Sequence, residues 1–361
     1  MGFQCGIIGL PNVGKSTIFN ALTGAGAQMA NYPFCTIDPN RGIVPVPDRR
    51  LYNIAEMLGK DNPIPTRIEF IDIAGLVKGA SKGEGLGNRF LSHIREVEAI
   101  VHVVRCFAND DVAHVTGDVD PVRDVEIINT ELILADIEQL ERAREKMEKR
   151  SRSGDKEAIA NSERLGKMIE HLDKGKFISA MEMSRDDEEL LSEYGLLTAK
   201  PVLYLANVDE KSSATSSLEE LKKYALNADA PVVDITGNIE EEIAELDEGD
   251  KQEYLQAMGL GESGLERLIS ASYKLLGLIT FYTVTTDLQA WTARKGTRAP
   301  QGAGLIHTDF EKGFIRAEVF HYDDLVEAGS EHRVKEMGHL RSEGKDYVIK
   351  DGDIIHFLFN T

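Results

Sequence analysis

The chain is poor in cysteine and tryptophan, with three of the first and one of the second among 361 residues. The cysteines fall at positions 5, 35 and 106, an odd number that excludes a disulfide-built scaffold. No apolar run approaches the ~20 residues needed to cross a bilayer, so no membrane association is expected. The first six residues lack a basic stretch followed by an apolar core, and no export signal is read there. Positive charge is scarce as well: 41 Lys and Arg stand against 61 Asp and Glu, a formal net charge of −20. That balance opposes a chain that coats nucleic acid non-specifically, because phosphate binding rewards positive charge. What remains, 42% hydrophobic and 28% charged, is the composition of a globular protein, expected to be soluble, cytoplasmic and monomeric. The length suggests roughly two or three domains.

Short apolar runs at 3–9, 68–73, 99–104, 201–206 and 231–235 predict buried strands. Helical stretches separate them, the pattern of βαβ units around a parallel sheet. From residue 277 the chain turns β-rich, with segments at 279–285, 314–320, 347–350 and 354–359, and a separate small domain is expected there. Between about 125 and 200 the alternation stops. Ile133, Ile137, Leu140 and Met147 share one helical face, and Leu165, Met168, Ile169 and Leu172 share another. Ser151-Arg152-Ser153-Gly154 between them has turn composition. An antiparallel helical hairpin inserted in the α/β domain is the simplest arrangement.

Charge is unevenly spread. The expected hairpin tip, 142–156, holds seven basic residues (Arg142, Arg144, Lys146, Lys149, Arg150, Arg152, Lys156) and three acidic ones. It reads either as a solvated helix end or as a contact for RNA or the ribosome. Arg294, Lys295 and Arg298 form a second basic spot, whereas the acid-rich run 240–253 reads as a solvated helical face without a chemical role.

Gly9-Leu10-Pro11-Asn12-Val13-Gly14-Lys15-Ser16 fits the phosphate-loop pattern G-x-x-x-x-G-K-[ST] between a predicted strand and a predicted helix. Backbone N–H groups of such a loop converge on phosphates, and the helix N-terminus adds positive potential. Asn12, Val13, Gly14, Lys15, Ser16 and Thr17 are thus candidate nucleotide contacts. Lys15 is expected at the β/γ-phosphates and the Ser16 hydroxyl on Mg²⁺. Asp72, ahead of Ile73-Ala74-Gly75, ends a core strand and is a second candidate for the metal shell. Gly75 offers a backbone N–H near the γ-phosphate. Thr36, on the loop after the first helix, is the third candidate ligand. Gly79, Gly83, Gly85 and Gly87 predict a rearranging segment that orders when the γ-phosphate is present. Cys35 lies beside Thr36 and is read as either redox-accessible or covered by bound nucleotide.

Guanine-specific folds of this kind carry Asn-Lys-x-Asp after a later strand. Here Asn207-Val208-Asp209-Glu210 stands in that place. Val208 cannot supply the lysine's contact with the base, and Glu210 is one methylene longer than the aspartate that pairs with guanine. Asn207, Val208 and Glu210 are therefore expected at a base site that prefers adenine, and ATP over GTP. Leu76 occupies the position where many such hydrolases carry a water-orienting glutamine, so intrinsic turnover should be slow. His114, on the loop after the strand at 99–104, is either the group that positions the water or an ordinary loop histidine.

With these motifs assembled, the chain resembles the YchF family of Obg-like ATPases, within the TRAFAC class of P-loop proteins. The resemblance rests on residues 9–17, 31–40, 72–90 and 207–210, and on His307-Thr308-Asp309-Phe310-Glu311-Lys312-Gly313-Phe314 with the segment 344–359. It implies a P-loop domain over 1–128 and 200–276, an inserted helical (coiled-coil) domain over 129–199, and a C-terminal β-grasp (TGS) domain over 277–361. It further implies Mg²⁺-dependent ATP hydrolysis, Mg²⁺ at Ser16 and Thr36, and binding to the ribosome or its large subunit (50S or 60S). RNA contact is expected through the hairpin tip and the TGS domain. Asn12 matches an asparagine linked in some relatives to K⁺-assisted hydrolysis. Two alternatives stand beside this reading: a GTPase of the Obg type, and an RNA- or ribosome-binding module in which nucleotide is structural. A small-molecule kinase ranks below both, since no second pocket motif for an acceptor is visible.

Overall fold

The computed structural model describes residues 3–29, 40–73, 86–107, 119–209 and 216–360. Apart from the first two residues the chain divides into two compact units. One comprises Phe3–Gly42 and Glu69–Leu268, the other Ile43–Ile68 and Ile269–Thr361.

The first unit is a parallel sheet with helical connections. In chain order its elements are β1 (Gln4–Ile8), α1 (Lys15–Met29), β2 (Arg41–Pro45), and, after α2 (Arg49–Leu58) of the second unit, β3 (Arg67–Asp72), α3 (Leu86–Glu96) and β4 (Ala99–Arg105). A long helical excursion follows: α4 (Pro121–Ser151), α5 (Lys156–Asp173) and α6 (Arg185–Ser192). The sheet resumes with β5 (Val202–Asn207), α7 (Ser216–Asn227), β6 (Val232–Ile235), α8 (Gly237–Glu245), α9 (Glu248–Ala257) and α10 (Gly264–Leu275). Strand order is β2-β3-β1-β4-β5-β6, and β1 pairs in parallel with both β3 and β4. Every residue of β4 is buried, as expected of a central strand covered on both faces. The five strands read from the sequence all form, within a residue or two of the expected positions. β2, at the sheet edge, alternates exposed and buried residues over only five positions, and no apolar run announced it.

The hairpin is present. Asp120 caps α4 through Arg123 N–H at 2.9 Å, and Asp155 caps α5 through the N–H groups of Glu157 and Ala158, both at 3.1 Å. Four residues separate the helices, so α5 runs back along α4. Leu140 packs with Leu165, Met168 and Leu172, and the cluster continues through Ile178, Leu190 and Leu196 on the return path. Buried Asp136 ties α4 to that path, accepting from Leu197 N–H (3.1 Å), Thr198 N–H (2.8 Å) and the Thr198 hydroxyl (2.7 Å). The first helix begins at Pro121, so the helical segment starts earlier than position 129.

The acidic run is not uniformly solvated. Glu240 is 3% exposed, and its carboxylate accepts from Gly264 N–H (2.7 Å) and Leu265 N–H (3.2 Å), satisfying the first turn of α10. Burial pushes its carboxyl above the ordinary range, although those two bonds oppose the shift. This corrects the reading of 240–253 as a plain solvated face at that one residue. A helix-capping glutamate leaves no mark in a run of like charges.

The second unit is a mixed five-stranded sheet with four short helices besides α2. Its elements are β7 (Leu278–Val284), β8 (Leu288–Arg294), α11 (Ala299–Ile306), α12 (Thr308–Lys312), β9 (Phe314–His321), α13 (Tyr322–Ala328), α14 (Glu331–Glu336), β10 (Arg341–Glu343) and β11 (Asp353–Phe359). The order is β10-β9-β11-β7-β8, with β11 parallel to β7 and the other neighbours antiparallel. No strand forms at 347–350. Val348 makes one isolated antiparallel bridge with Arg298, and the chain then turns into β11 at 351–352, with Lys350 N–H on the Asp353 carboxylate (2.8 Å) and Gly352 at φ +93°. One core holds Phe281, Phe314, Val319 and Phe357 beneath Ala299 and Ala303 of α11. A second is closed by α2, whose Leu51, Ile54 and Ala55 pack with Tyr282, Leu288, Phe320 and Leu325.

The sequence assigned 43–68 to the nucleotide-binding domain, while the contacts group it with the C-terminal strands. Polar ties reinforce that grouping. Arg50 donates to Asp351 at 2.7 Å, Lys60 to the Thr285 carbonyl at 2.6 Å, and Asn53 to the Tyr322 hydroxyl at 2.8 Å. Ile64 exchanges backbone bonds with Leu288 and Ala290, each at 2.9 Å.

Candidate functional site

The site forms where the C-terminal ends of parallel strands meet the start of α1, the usual binding edge of an open α/β sheet. From β1 the chain enters the loop 9–14. A Cβ on Gly9 would lie 2.9 Å from the Val103 carbonyl, so the loop runs hard against β4. Asn12 and Gly14 take left-handed backbone (φ 64° and 92°), the turn that brings successive N–H groups onto one side. At Gly14 nothing larger fits: an added Cβ would stand 2.1 Å from Asn207 Nδ2. Lys15, Ser16 and Thr17 then occupy the first turn of α1, which carries no acidic residue to oppose an anion there.

Two strands bring the other candidates alongside. Asp72 ends β3 in register with Ile7 of β1, and its carboxylate is ion-paired with Lys15 Nζ. A hydroxyl and a carboxylate beside the phosphate loop are the hard oxygen donors Mg²⁺ prefers, so Ser16 and Asp72 fit that ion. When bound, it would neutralise charge on the β- and γ-phosphate oxygens, with Lys15 beside it.

Asn207, ending β5, is 5% exposed and uses both ends of its amide. Nδ2 donates to the Val13 carbonyl at 3.0 Å, and Oδ1 accepts from Gly237 N–H at 3.3 Å. Its own carbonyl accepts from Cys106 N–H at 2.9 Å, and Val208 N–H reaches the Ile235 carbonyl at 2.8 Å. One side chain thus joins the phosphate loop to the loop after β6, where Gly237 begins α8 near Thr17. Val208 departs from the base-contact role expected of it. It is 4% exposed and packs among Tyr204, Cys106, Leu218 and Leu221, so its side chain is a core residue. A residue the sequence did not single out, Arg267, grips the end of β6, donating to the Asp234 carbonyl at 2.8 Å and its carboxylate at 3.3 Å.

Thr36, Cys35, Gly75, Leu76, His114 and Glu210 lie outside the described residues. The two other cysteines are buried, and burial pushes the Cys106 thiol up to about 12. A thiol so placed is no nucleophile at neutral pH. At the hairpin tip, Arg142, Arg144 and Arg150 pair with Glu138, Glu148 and Asp155 at 3.3, 3.1 and 2.9 Å. Lys146, Lys149, Arg152 and Lys156 are exposed and take part in no ion pair among the described residues. In the second basic spot Arg298 is paired with Asp346 at 2.8 Å, which reduces its free charge.

Residues 4–138 match the family model described as "50S ribosome-binding GTPase". Residues 278–360 match YchF-GTPase_C, described as "Protein of unknown function (DUF933)". A Haemophilus ducreyi protein called "Ribosome-binding ATPase YchF" is 52% identical over 363 residues, covering all of both chains. A protein of the same name from Bacillus subtilis is 51% identical over 366 residues, again covering both completely. Among solved structures, the one titled "Structure of the Schizosaccharomyces pombe YchF GTPase" superposes with a TM-score of 0.90 at 38% identity, covering 99% of this chain and 98% of that one. The motifs, the two-unit fold and full-length identity above half agree: this chain belongs to the YchF family.

Proposed function

We propose that this protein is a Mg²⁺-dependent ATPase, preferring ATP to GTP, that binds the ribosome and changes that binding with its nucleotide state. The observation that carries the reading is the assembled loop: a left-handed turn at Asn12 and Gly14, Lys15 beside Asp72, and Asn207 fastening the phosphate loop at Val13 to the loop after β6. The loop N–H groups and Lys15 would hold the triphosphate, while Ser16, Asp72 and Thr36 would hold Mg²⁺, which would supply charge neutralisation at the phosphates. His114 positions the water, since Leu76 has no polar atom to do so. Val208 in the core removes the lysine that packs over guanine, which supports adenine. Asn12 is the residue through which K⁺ would assist. The names of the H. ducreyi and B. subtilis relatives support both the ATP and the ribosome halves.

A nucleotide-dependent regulator needs a route from the phosphates to the rest of the chain. Residues 43–68 lie between Thr36 and Asp72, the two ends of the expected metal shell, and this segment is built into the second unit by α2 and its polar ties. A change at either end therefore pulls on a segment anchored elsewhere. The four unpaired cations at the hairpin tip are the surface proposed for ribosomal RNA.

Titration with ATP and GTP side by side tests the base preference, and tighter guanosine binding would install the GTPase reading carried by the name of the S. pombe structure. Co-sedimentation with ribosomes, with and without ATP, tests the regulator. Lys15→Ala that binds ribosomes identically in both conditions would favour a module in which nucleotide is structural. Reversing charge at Lys146, Lys149 and Arg152 should weaken co-sedimentation and steepen none of its salt dependence. His114→Ala with intact turnover would remove that residue from the hydrolytic step.

A further inference from the structure

A cavity of about 360 Å³ opens on the second unit, lined by His321, Asp324, Gly338, His339, Arg341 and Lys350. We infer that it is a binding site for a phosphate group, with Arg341 and Lys350 as its donors and the His339 ring in its wall.

The case rests on which charges are already spent. Asp324 is the one carboxylate in the lining. One of its oxygens accepts from His321 N–H at 2.8 Å and the other faces His339 Nδ1 at 3.2 Å. Nearby Asp351 is held by Arg50 (2.7 Å) and by Thr280 N–H (2.8 Å). Asp353 takes the Tyr347 hydroxyl (2.7 Å) and Lys350 N–H (2.8 Å) on one oxygen, and the whole residue is buried away from the cavity's surface. Arg341 and Lys350, by contrast, enter no ion pair among the described residues. The Arg341 guanidinium lies over the Tyr347 ring, 5.9 Å from its centroid, which restrains it without using its N–H fork. Two cations left unpaired over a concave surface, in a chain of net charge −20, are a local exception to the protein's field.

The histidines divide the work. His321 is a wall: Nε2 meets the Asp351 carbonyl at 2.9 Å and Nδ1 accepts from Asp323 N–H at 3.3 Å, so both ring nitrogens are taken. His339 directs Nδ1 at Asp324, and a carboxylate so placed orients the ring. Gly338, at φ +78°, makes the tight turn before His339 without adding a side chain to the cavity. A guanidinium fork and an ammonium are a donor set for phosphate oxygens, the fork supplying two parallel bonds. The volume accommodates a phosphorylated small molecule or one backbone phosphate of RNA with its sugar.

The test uses the full chain and follows the side-chain ¹H–¹⁵N signals of His339 and Arg341 by NMR. These signals report the cavity whatever occupies the phosphate loop. One arm titrates inorganic pyrophosphate, the other a single-stranded RNA oligonucleotide. A saturable shift is expected in at least one arm. Arg341→Ala with Lys350→Ala should weaken it about tenfold or more, the loss of a charge-assisted bond or two. Both substitutions are at the surface, and far-UV circular dichroism checks that the variant is folded. Saturation by pyrophosphate identifies a free phosphorylated ligand, and saturation by the oligonucleotide alone identifies backbone phosphate. Signals that stay still in both arms, or a curve unchanged in the double variant, overturn the proposal. Neither arm uses ribosomes or turnover, so the outcome is independent of the ATPase and ribosome reading.

Discussion

Asn207→Ala is the sharpest test of how the nucleotide site is held together. The substitution deletes two bonds at a residue 5% exposed, one to the Val13 carbonyl (3.0 Å) and one from Gly237 N–H (3.3 Å). No neighbouring group replaces the amide, so a carbonyl and an N–H lose their partners in a buried place. At about 1–3 kcal/mol for each of the two buried groups left unsatisfied, the cost is about 2–6 kcal/mol. The loss divides between two measurements. Gly237 begins α8, so its share lowers stability. The Val13 carbonyl belongs to the phosphate loop, so its share loosens the loop and raises the ordering cost of binding. If about 1.4 kcal/mol falls on binding, ATP affinity drops about tenfold. Calorimetric titration of ATP with Mg²⁺ measures the second share and thermal unfolding the first. An alanine variant that binds ATP like the parent and melts with it would refute the idea that this side chain joins the two loops.

Other expectations follow from buried groups elsewhere. His102, fully buried in β4 beside Tyr204, is pushed down to about 3 by desolvation, from an ordinary 6.5. The unfolded chain therefore takes up a proton that the folded chain refuses. Stability should be complete above pH 6.5 and decline toward pH 3, with about 2 kcal/mol lost by about pH 5. Urea unfolding across that range checks it, and His102→Gln should flatten the decline. Glu240→Ala strips two N–H groups of α10 of their acceptor and should cost about 1–2 kcal/mol, with Glu240→Gln recovering part of it; thermal unfolding distinguishes the two. Val208→Lys places an ammonium in the cluster around Tyr204 and Leu218. It should destabilise by on the order of 2–4 kcal/mol without creating a preference for GTP, as unfolding and paired nucleotide titrations will show.

Local patterns were legible because local physics produces them. The phosphate loop needs glycine where the backbone turns left-handed, so its spacing shows in the residues themselves, and Gly14 stands where a Cβ would strike Asn207. The hairpin faces were equally plain, since Leu140, Leu165, Met168 and Leu172 repeat at helical spacing and are all fully buried. The C-terminal sheet was harder to read. β8 and β10 were not marked as strands, and 347–350 looked like one but carries a single bridge, Val348 with Arg298, while its Ile349 packs into the core. Val208 could be read as a lost base contact, yet its burial depends on Leu218 and Leu221, which arrive from a helix ten residues later.

The sequence alone determined the chemistry of the phosphate end, the inserted hairpin, and the family. These depend on spacings of a few residues, which one stretch of chain carries by itself. Tertiary structure alone decided that 43–68 belongs with the C-terminal strands, that Glu240 caps a helix from within an acidic run, and that Arg341 and Lys350 are left unpaired over one cavity. Each of those depends on a partner far away in sequence: Tyr282 and Asp351 for α2, Gly264 for Glu240, Tyr347 and the spent carboxylates for Arg341. Charge and polarity are written residue by residue. Whether a charge is spent or free is settled only when the chain brings its neighbours together.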